Sequence, residues 1–209
     1  MAVDWRYWYE LDPNSRVTRT ANKLTVTDLD GDDGDCFICN DYGAGHFGTS
    51  GWTHTFSWKP VSSTGAAYVV VWAVSNVHED MKYWWANHSQ AVSLWQYDTR
   101  IYLENHETDI SQYYTGGYGT TYYVTVDRPE TTQIRARIYS DATRETLVAT
   151  LTVTVDGART YQHLYSVNNW PAGGGGCLSF ELENLDIGEG GGGSVVPVHM
   201  DNYRRRRVA

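Results

Sequence analysis

The chain has 209 residues, with 25 acidic against 16 basic side chains and a formal net charge of -9. This length suits one β domain whose core needs neither a metal nor a disulfide, and the acidic balance argues against a body that wraps nucleic acid. Sixteen Tyr and nine Trp exceed what a core can use, so we expect several rings at the surface or at an interface.

The first residues, Met1–Arg6, lack the basic start and the apolar run of a secretory signal. No stretch approaches the roughly 18 apolar residues of a membrane span. We therefore expect a protein that is made in a host cytoplasm, without a signal peptide and without a membrane partner.

An acidic run punctuated by glycine occupies residues 28–35. Calcium takes six to eight oxygen ligands, so such a run can wrap one ion. The EF-hand spacing fails, because Gly31 comes too early and Cys39 stands at the twelfth position. The alternative is a solvated acidic turn between strands. The candidate calcium ligands are Asp28, Asp30, Asp32, Asp33 and Asp35.

Two cysteines, Cys36 and Cys39, stand three residues apart, which places them on opposite faces of a strand. A zinc or redox motif would need a second pair or a helix start, and the sequence offers neither. We therefore predict structural cysteines.

Apolar and polar residues alternate with a period of two through most of the body, which predicts antiparallel strands. The continuously apolar run 66–74 predicts a central strand covered on both sides. A polar link at 140–144 indicates a hairpin, and a phase slip after Leu182 indicates a β-bulge near Asn184. The predicted inward-facing residues are Leu24 and Val26; Trp52, His54, Phe56 and Trp58; Ile101 and Leu103; Tyr122, Val124 and Val126; Ile134, Ala136 and Ile138; Leu147, Ala149, Leu151, Val153 and Val155; and Leu178, Phe180 and Leu182.

Aromatic residues also cluster in two predicted loops, at 83–88 and 113–118. Sugars present apolar C–H faces to such rings, while Asn, Asp and His bond the sugar hydroxyls. Tyr and Trp are equally typical of protein interfaces, and some rings can close the ends of a sandwich. Glycan contact, a protein interface and simple packing all stay open. The candidate ligand-binding residues are Tyr83, Trp84, Trp85, Asn87, His88, Tyr113, Tyr114 and Tyr118.

Three carboxylates near the end of the body, Glu181, Glu183 and Asp186, resemble the Glu-x-Asp-x-x-Glu pattern of jelly-roll glucanases with two positions exchanged. Residues two apart on a strand lie about 6.8 Å apart on one face, within reach of a retaining pair. A proton donor shortened to Asp would be displaced by about one methylene, which can cost roughly 100-fold in rate. We predict a polar outer face here, and no catalytic residues.

The end of the chain differs in composition from the body. Residues 189–194 form a Gly-rich segment that behaves as a flexible tether, unless it is an engineered linker. The basic arm 195–209 suits a contact with a neighbouring subunit, and only its arginines suit nucleic acid. Pro197 favours an extended conformation. The candidate anchoring residues are Val195, Val196, Pro197, Val198, Tyr203, Arg204, Arg205, Arg206 and Arg207.

The order of the predicted strands and their residue pattern, over 122–155, 161–167 and 178–187, resemble the back half of a concanavalin A-like or laminin G-like domain. The resemblance covers residues 5–188 and implies an all-β, antiparallel two-sheet β-sandwich (a jelly roll), closed by a final strand that pairs near the first. It also implies calcium at a loop rim. An unsignalled copy of this fold with a tethered tail is similar to virion-associated proteins of tailed phages.

These observations predict a folded domain over 1–188, a linker and an arm. We expect a non-enzymatic virion structural or decoration protein at the virion surface, with the jelly roll displayed outward and the arm anchored to another virion subunit. The alternative is a carbohydrate-binding, lectin-like module that binds polysaccharide with or without calcium. A β-glucanase-like hydrolase is a third hypothesis.

Overall fold

The computed structural model describes residues 1–30, 36–65, 67–170 and 175–188. Within them the chain forms fourteen strands, one short α-helix and a 3-10 turn. The predicted linker and arm, 189–209, lie outside the described residues. The elements in chain order are the 3-10 turn (Trp5–Tyr7), β1 (Tyr9–Leu11), β2 (Val17–Arg19), β3 (Lys23–Asp30), β4 (Phe37–Asp41), β5 (Thr53–Thr64), β6 (Val69–Ser75), α1 (Met81–Ala86), β7 (Ala91–Tyr97), β8 (Arg100–Asn105), β9 (Ile110–Thr115), β10 (Tyr122–Glu130), β11 (Gln133–Tyr139), β12 (Leu147–Thr154), β13 (His163–Asn169) and β14 (Cys177–Asp186).

The strands form two seven-stranded sheets, in which every pair of neighbours is antiparallel. The front sheet has the order β1-β4-β13-β6-β7-β8-β9, and the back sheet has the order β12-β11-β10-β5-β14-β3-β2. The predicted all-β, two-sheet antiparallel sandwich is confirmed.

The core lies between the sheets and is built from the residues that alternation placed inward. Leu24, Phe56, Val124 and Ile138, for example, are at most 2% exposed and belong to one continuous apolar cluster. The prediction for Leu147 is wrong, because this residue is 51% exposed. Leu147 begins β12, and the pairing of β11 with β12 shifts by one residue between Ile138 and Tyr139. Leu147 therefore lies opposite Tyr139, on the other face from Ile138 and Ala149.

The final strand β14 lies inside the back sheet, between β5 and β3, and closes the sandwich. Its end meets the start of the chain, since Ala2 pairs with Asp186 in an isolated antiparallel bridge. The predicted bulge is confirmed. Pairing with β5 shifts between Glu183 and Asp186, and Asn184 has a φ of 57°.

The bulge leads to a first prediction, since a left-handed backbone is strained for residues other than Gly, Asn and Asp. We expect Asn184→Ala to lower the free energy of unfolding by about 1 kcal/mol. Asn184→Gly should leave it nearly unchanged, because glycine accepts this φ without strain. Urea denaturation of both variants measures the difference, and equal stabilities would contradict a left-handed backbone at Asn184.

Strand β6 is buried on both faces, as the apolar run predicted, although Ala66 lies outside the described residues. Its inner face joins the core, and helix α1 covers its outer face. Met81 and Trp84 pack there against Val70, Ala73 and Tyr165 in a second apolar cluster.

Helix α1 replaces a segment that the sequence predicted as a loop. Asp80 caps its start by accepting a hydrogen bond from the Tyr83 amide at 2.8 Å, and Asn87 closes its end. The helix spans Met81–Ala86, too short for a helical period to stand out in the sequence. In the part of the chain that the structure describes, no helix has the length and apolar character of a membrane span.

The cysteines follow the sequence prediction. Cys36 faces the core between the sheets, and Cys39 faces the outer cluster beneath α1. Both are buried, and neither forms a disulfide with another described cysteine.

Candidate functional site

The outer face of the front sheet is the most chemically varied surface of the molecule. Helix α1 lies over β13 and β6 near the middle of this face, since Trp84 contacts Tyr165 with ring centroids 4.8 Å apart. Strands β7, β8 and β9 lie on one side of the helix, and strands β1 and β4 lie on the other side. The two sides differ in shape and chemistry.

On the first side, seven aromatic rings form a continuous row, which we call the aromatic patch. Antiparallel register places three of them directly opposite one another on neighbouring strands: Trp95 on β7, Tyr102 on β8 and Tyr113 on β9. The members of the patch are Tyr68, Trp85, Trp95, Tyr97, Tyr102, Tyr113 and Trp170.

The rings of the patch stack against one another. Trp95 and Tyr102 are parallel within 4°, with centroids 4.1 Å apart, and Tyr113 follows at 5.1 Å. The patch continues toward α1 through Tyr68, which is 5.6 Å from Trp95 and 36% exposed. Trp85 is 48% exposed and Tyr113 is 56% exposed. Mutual stacking fixes the rings in place, so a ligand meets a preformed apolar surface.

A buried carboxyl group lies beside the patch, on the same face of the sheet as Tyr102. Glu104 is 5% exposed, and its Oε2 accepts a hydrogen bond from the Trp95 indole at 2.5 Å. Burial raises the pKa of Glu104, and hydrogen bonds from Trp95 and Trp85 oppose that rise. The carboxyl group thus holds two tryptophans of the patch in fixed orientations.

The patch includes two of the predicted ligand-binding residues, Trp85 and Tyr113. Tyr83 lies on the other side of α1, where it lines the cleft described below. Trp84 is 0% exposed and packs against Tyr165, so it offers no surface to a ligand.

The remaining predicted ligand-binding residues have local partners. The Asn87 side chain donates to the Tyr83 carbonyl at 2.9 Å, and His88 contacts the Asp109 carboxylate at 3.2 Å. Tyr114 packs edge-on against the ring of Tyr122, and the Tyr118 hydroxyl donates to the Asp98 carboxylate. None of these contacts joins them to the aromatic patch.

Sequence reasoning missed five members of the patch: Tyr68, Trp95, Tyr97, Tyr102 and Trp170. A partial signal existed for the three on β7 and β8, because they alternate with inward residues. The two-residue turn between Tyr97 and Arg100 then sets Trp95 opposite Tyr102.

On the second side of α1 lies a cleft of about 600 Å³, bounded by β1, β4, the start of β13 and the segment between β6 and α1. His78, which lines the cleft, is hydrogen-bonded to the buried Cys39, with Sγ 3.2 Å from Nε2. Burial raises the pKa of the Cys39 thiol well above its usual value, so it is no nucleophile at neutral pH. The residues that line the cleft are Tyr9, Leu11, Phe37, Asn76, Val77, His78, Glu79, Tyr83, Gln162 and His163.

Of the predicted calcium ligands, the structure describes Asp28 and Asp30. Asp28 accepts from the Ser179 hydroxyl at 3.1 Å, and Asp30 Oδ2 lies 3.7 Å from Cys177 Sγ. Asp32, Asp33 and Asp35 lie outside the described residues. Among the residues that are described, no group of three or more His, Cys, Asp or Glu is placed to hold a metal ion.

The carboxylates of the hypothetical glucanase motif have structural partners. Glu181 lies 3.0 Å from Lys23 and 3.4 Å from Lys59, and the Lys23 hydrogen bond lowers its pKa. Glu183 also pairs with Lys23, and Asp186 binds the N-terminal amine at 2.5 Å. The hydrogen bond from the N-terminal amine lowers the pKa of Asp186, which stands at the proton-donor position of the motif. A carboxyl group with a lowered pKa is a poor proton donor, so this arrangement favours the predicted polar outer face.

Comparison with known proteins supports the fold. No protein-family model matches the sequence, and no curated protein sequence matches it. Among solved structures, the cellulose-induced protein Cip1 has a TM-score of 0.54 at 10% identity, covering 90% of this chain and 96% of that one. The exoplasmic/lumenal domain of VIP36 bound to Ca²⁺ and Man3GlcNAc has a TM-score of 0.50 at 10% identity, covering 91% and 90%. Lectin II from Ulex europaeus has a TM-score of 0.46 at 10% identity, covering 86% and 98%.

The likenesses to Cip1 and to VIP36 concern the fold alone, since both identities are 10%. They agree with the sequence-based resemblance to concanavalin A-like domains. The fold is therefore a two-sheet antiparallel jelly-roll sandwich.

Proposed function

We propose that this lectin-like jelly-roll protein binds carbohydrate without acting on it, through the aromatic patch of the front sheet. The observation that carries the proposal is the unbroken row of seven contacting rings, with Trp85, Tyr68 and Tyr113 well exposed. Contiguous exposed apolar surface of this kind marks a binding site in a soluble domain. The Man3GlcNAc bound to VIP36 is a property of that protein and sets a precedent for the fold.

The chemistry of the patch favours a neutral glycan. Arg100 lies over the Tyr113 ring at 5.4 Å and hydrogen-bonds the Tyr102 hydroxyl, so its guanidinium is held against the rings of the patch. The Glu104 carboxyl is buried beside the rings, where it accepts a hydrogen bond from Trp95. What the patch presents outward is ring surface and phenol hydroxyls, which suit the C–H faces and hydroxyls of neutral sugars.

The function is tested on an array of neutral, amino and acidic polysaccharides, followed by calorimetric titration of the glycan that binds. We expect Trp85→Ala to weaken binding about tenfold, the effect of losing one aromatic contact and its buried area. Tyr123→Ala is the matched control, because it removes a half-buried ring from the back sheet. Absence of binding to every glycan, or equal affinity of the Trp85 variant, would refute the proposal.

Calcium is a candidate cofactor. Asp28, Asp30 and the acidic residues between them and Cys36 supply carboxylate oxygens, which are the ligands that calcium prefers. Repeating the titration with a chelator tests it. Binding that disappears with the chelator and returns with added Ca²⁺ is the expected result of calcium assistance, and unchanged binding removes calcium from the proposal.

The virion role also stays a proposal, supported by the tethered arm and its arginines, Arg204–Arg207. We expect a chain ended at Gly188 to fold normally but not to enter its assembly, because it lacks the anchoring contact. Circular dichroism checks the fold, and the protein composition of purified particles checks incorporation. Particles that carry the shortened chain at the normal level would rule out anchoring by the arm.

A further inference from the structure

The cleft on the β1 side of α1 has the features of a separate ligand site. Its volume of about 600 Å³ falls within the range of roughly 300–1,000 Å³ that is typical of small-molecule sites. The aromatic rings of Tyr9 and Tyr83 and the amides of Asn76 and Gln162 are among its lining groups. Apolar rings next to a few polar groups form the usual lining of a specific site.

One buried group in the cleft lacks a partner. His163 is 3% exposed, and its Nδ1 makes no hydrogen bond within the described part of the chain. The nearest carboxylate oxygen, Asp41 Oδ1, lies 3.9 Å away, beyond hydrogen-bond range. A buried polar atom without a hydrogen-bond partner lowers the stability of the folded protein, so it indicates that a ligand or a water supplies the missing hydrogen bond. A hydroxyl group can both donate and accept, and can therefore bond to His163 and Asp41 together.

Charge limits which ligand this cleft accepts. Among the described residues its lining includes Glu79 and neither Lys nor Arg, and Asp41 lies beside His163 on the neighbouring strand. Burial lowers the pKa of His163, so its imidazole is neutral at neutral pH. The acidic residues at the cleft thus disfavour phosphates and acidic sugars.

We propose that the cleft is a second saccharide site, which takes a neutral mono- or disaccharide unit bound through His163 between the rings of Tyr9 and Tyr83. This inference rests on the proposed carbohydrate-binding function and adds a site that is separate from the aromatic patch. Helix α1 lies between the two, with Tyr83 on the side of the cleft and Trp85 on the side of the patch.

The test uses methyl glycosides of glucose, galactose and mannose, with methyl glucuronide as the acidic probe. Saturation-transfer NMR detects contact, and NMR titration measures affinity. We expect transfer to at least one neutral glycoside and none to the glucuronide. His163→Phe, which keeps the ring volume, should weaken binding about fivefold to tenfold by removing the hydrogen bond. Tyr83→Ala should weaken it about tenfold without disturbing the core, since Tyr83 is 43% exposed.

Tyr123→Ala again serves as the control and should bind the glycosides like the wild type. No transfer to any neutral glycoside, equal transfer to the glucuronide, or unchanged affinity in both cleft variants would overturn the proposal. The proposed function is refuted by a different result: the protein binds no polysaccharide, or Trp85→Ala leaves polysaccharide binding unchanged.

Discussion

Replacing Trp84 by alanine is expected to lower the free energy of unfolding by about 3–5 kcal/mol, the usual cost of removing a fully buried tryptophan. Trp84 is 0% exposed and holds α1 on the front sheet through contacts with Tyr165 and His106. Truncation leaves a cavity beneath a helix of six residues, which has little stability of its own. Urea denaturation followed by circular dichroism measures the loss.

Two neighbouring changes sharpen this test. Trp84→Phe should cost only about 1 kcal/mol, because it keeps most of the ring and removes an indole N–H that has no partner. Trp85→Ala, one residue further along, should cost about 1 kcal/mol or less, since that side chain is 48% exposed. Equal losses for Trp84→Ala and Trp85→Ala would contradict the packing of α1.

The second large effect that we expect is a loss of folding stability at acidic pH. His54 and His106 are both 0% exposed, and burial lowers the pKa of each to about 3. Trp72 donates to His54 Nδ1 at 3.1 Å, and the Ser93 hydroxyl lies 2.8 Å from His106 Nε2. Both imidazoles are therefore neutral in the folded protein.

The direction of the pH effect follows from proton binding. Below the ordinary histidine pKa of about 6.5 the unfolded chain binds protons that the folded chain does not, so stability falls as pH falls toward 3. At pH 5 each histidine is expected to cost about 2 kcal/mol relative to pH 7.5, or about 4 kcal/mol together. Carboxylates contribute little in this window, because they titrate mainly below it.

The measurement is urea denaturation at pH 7.5 and pH 5.0, with the wild type and with the double variant His54→Gln and His106→Gln. An amide keeps a hydrogen-bonding group at each site and does not titrate. We expect the double variant to be less stable at pH 7.5 and to lose much less stability on acidification. A loss as large as that of the wild type would show that other groups set the acid sensitivity.

Most strands could be predicted from the sequence, because inward and outward residues alternate locally. The bulge at Asn184 was visible for the same reason, as a one-residue slip that placed Leu185 and Ile187 back inside, each 2% exposed. The prediction for Leu147 was wrong because the register shift beside Tyr139 moves this residue to the other face, and strict alternation does not reveal such a shift.

The candidate site was only partly predictable. Trp85 and Tyr113 stood out as clustered aromatics, but the residue next to the first of them, Trp84, is buried. Six residues of helix are too few to reveal a helical period, so the sequence could not separate the two tryptophans. The cleft was not foreseen, because β1, β4, β13 and α1 come from distant parts of the chain.

By itself, the sequence determined an all-β antiparallel body, its inward-facing residues and its acidic charge, since these depend on composition and on spacing along a strand. Only the tertiary structure decided the order of the strands, which places Tyr68, Trp95, Tyr102, Tyr113 and Trp170 in one row. Pairing between distant strands depends on packing across the whole sandwich, which no local pattern records. The aromatic patch and the unpartnered nitrogen of His163 are consequences of that packing.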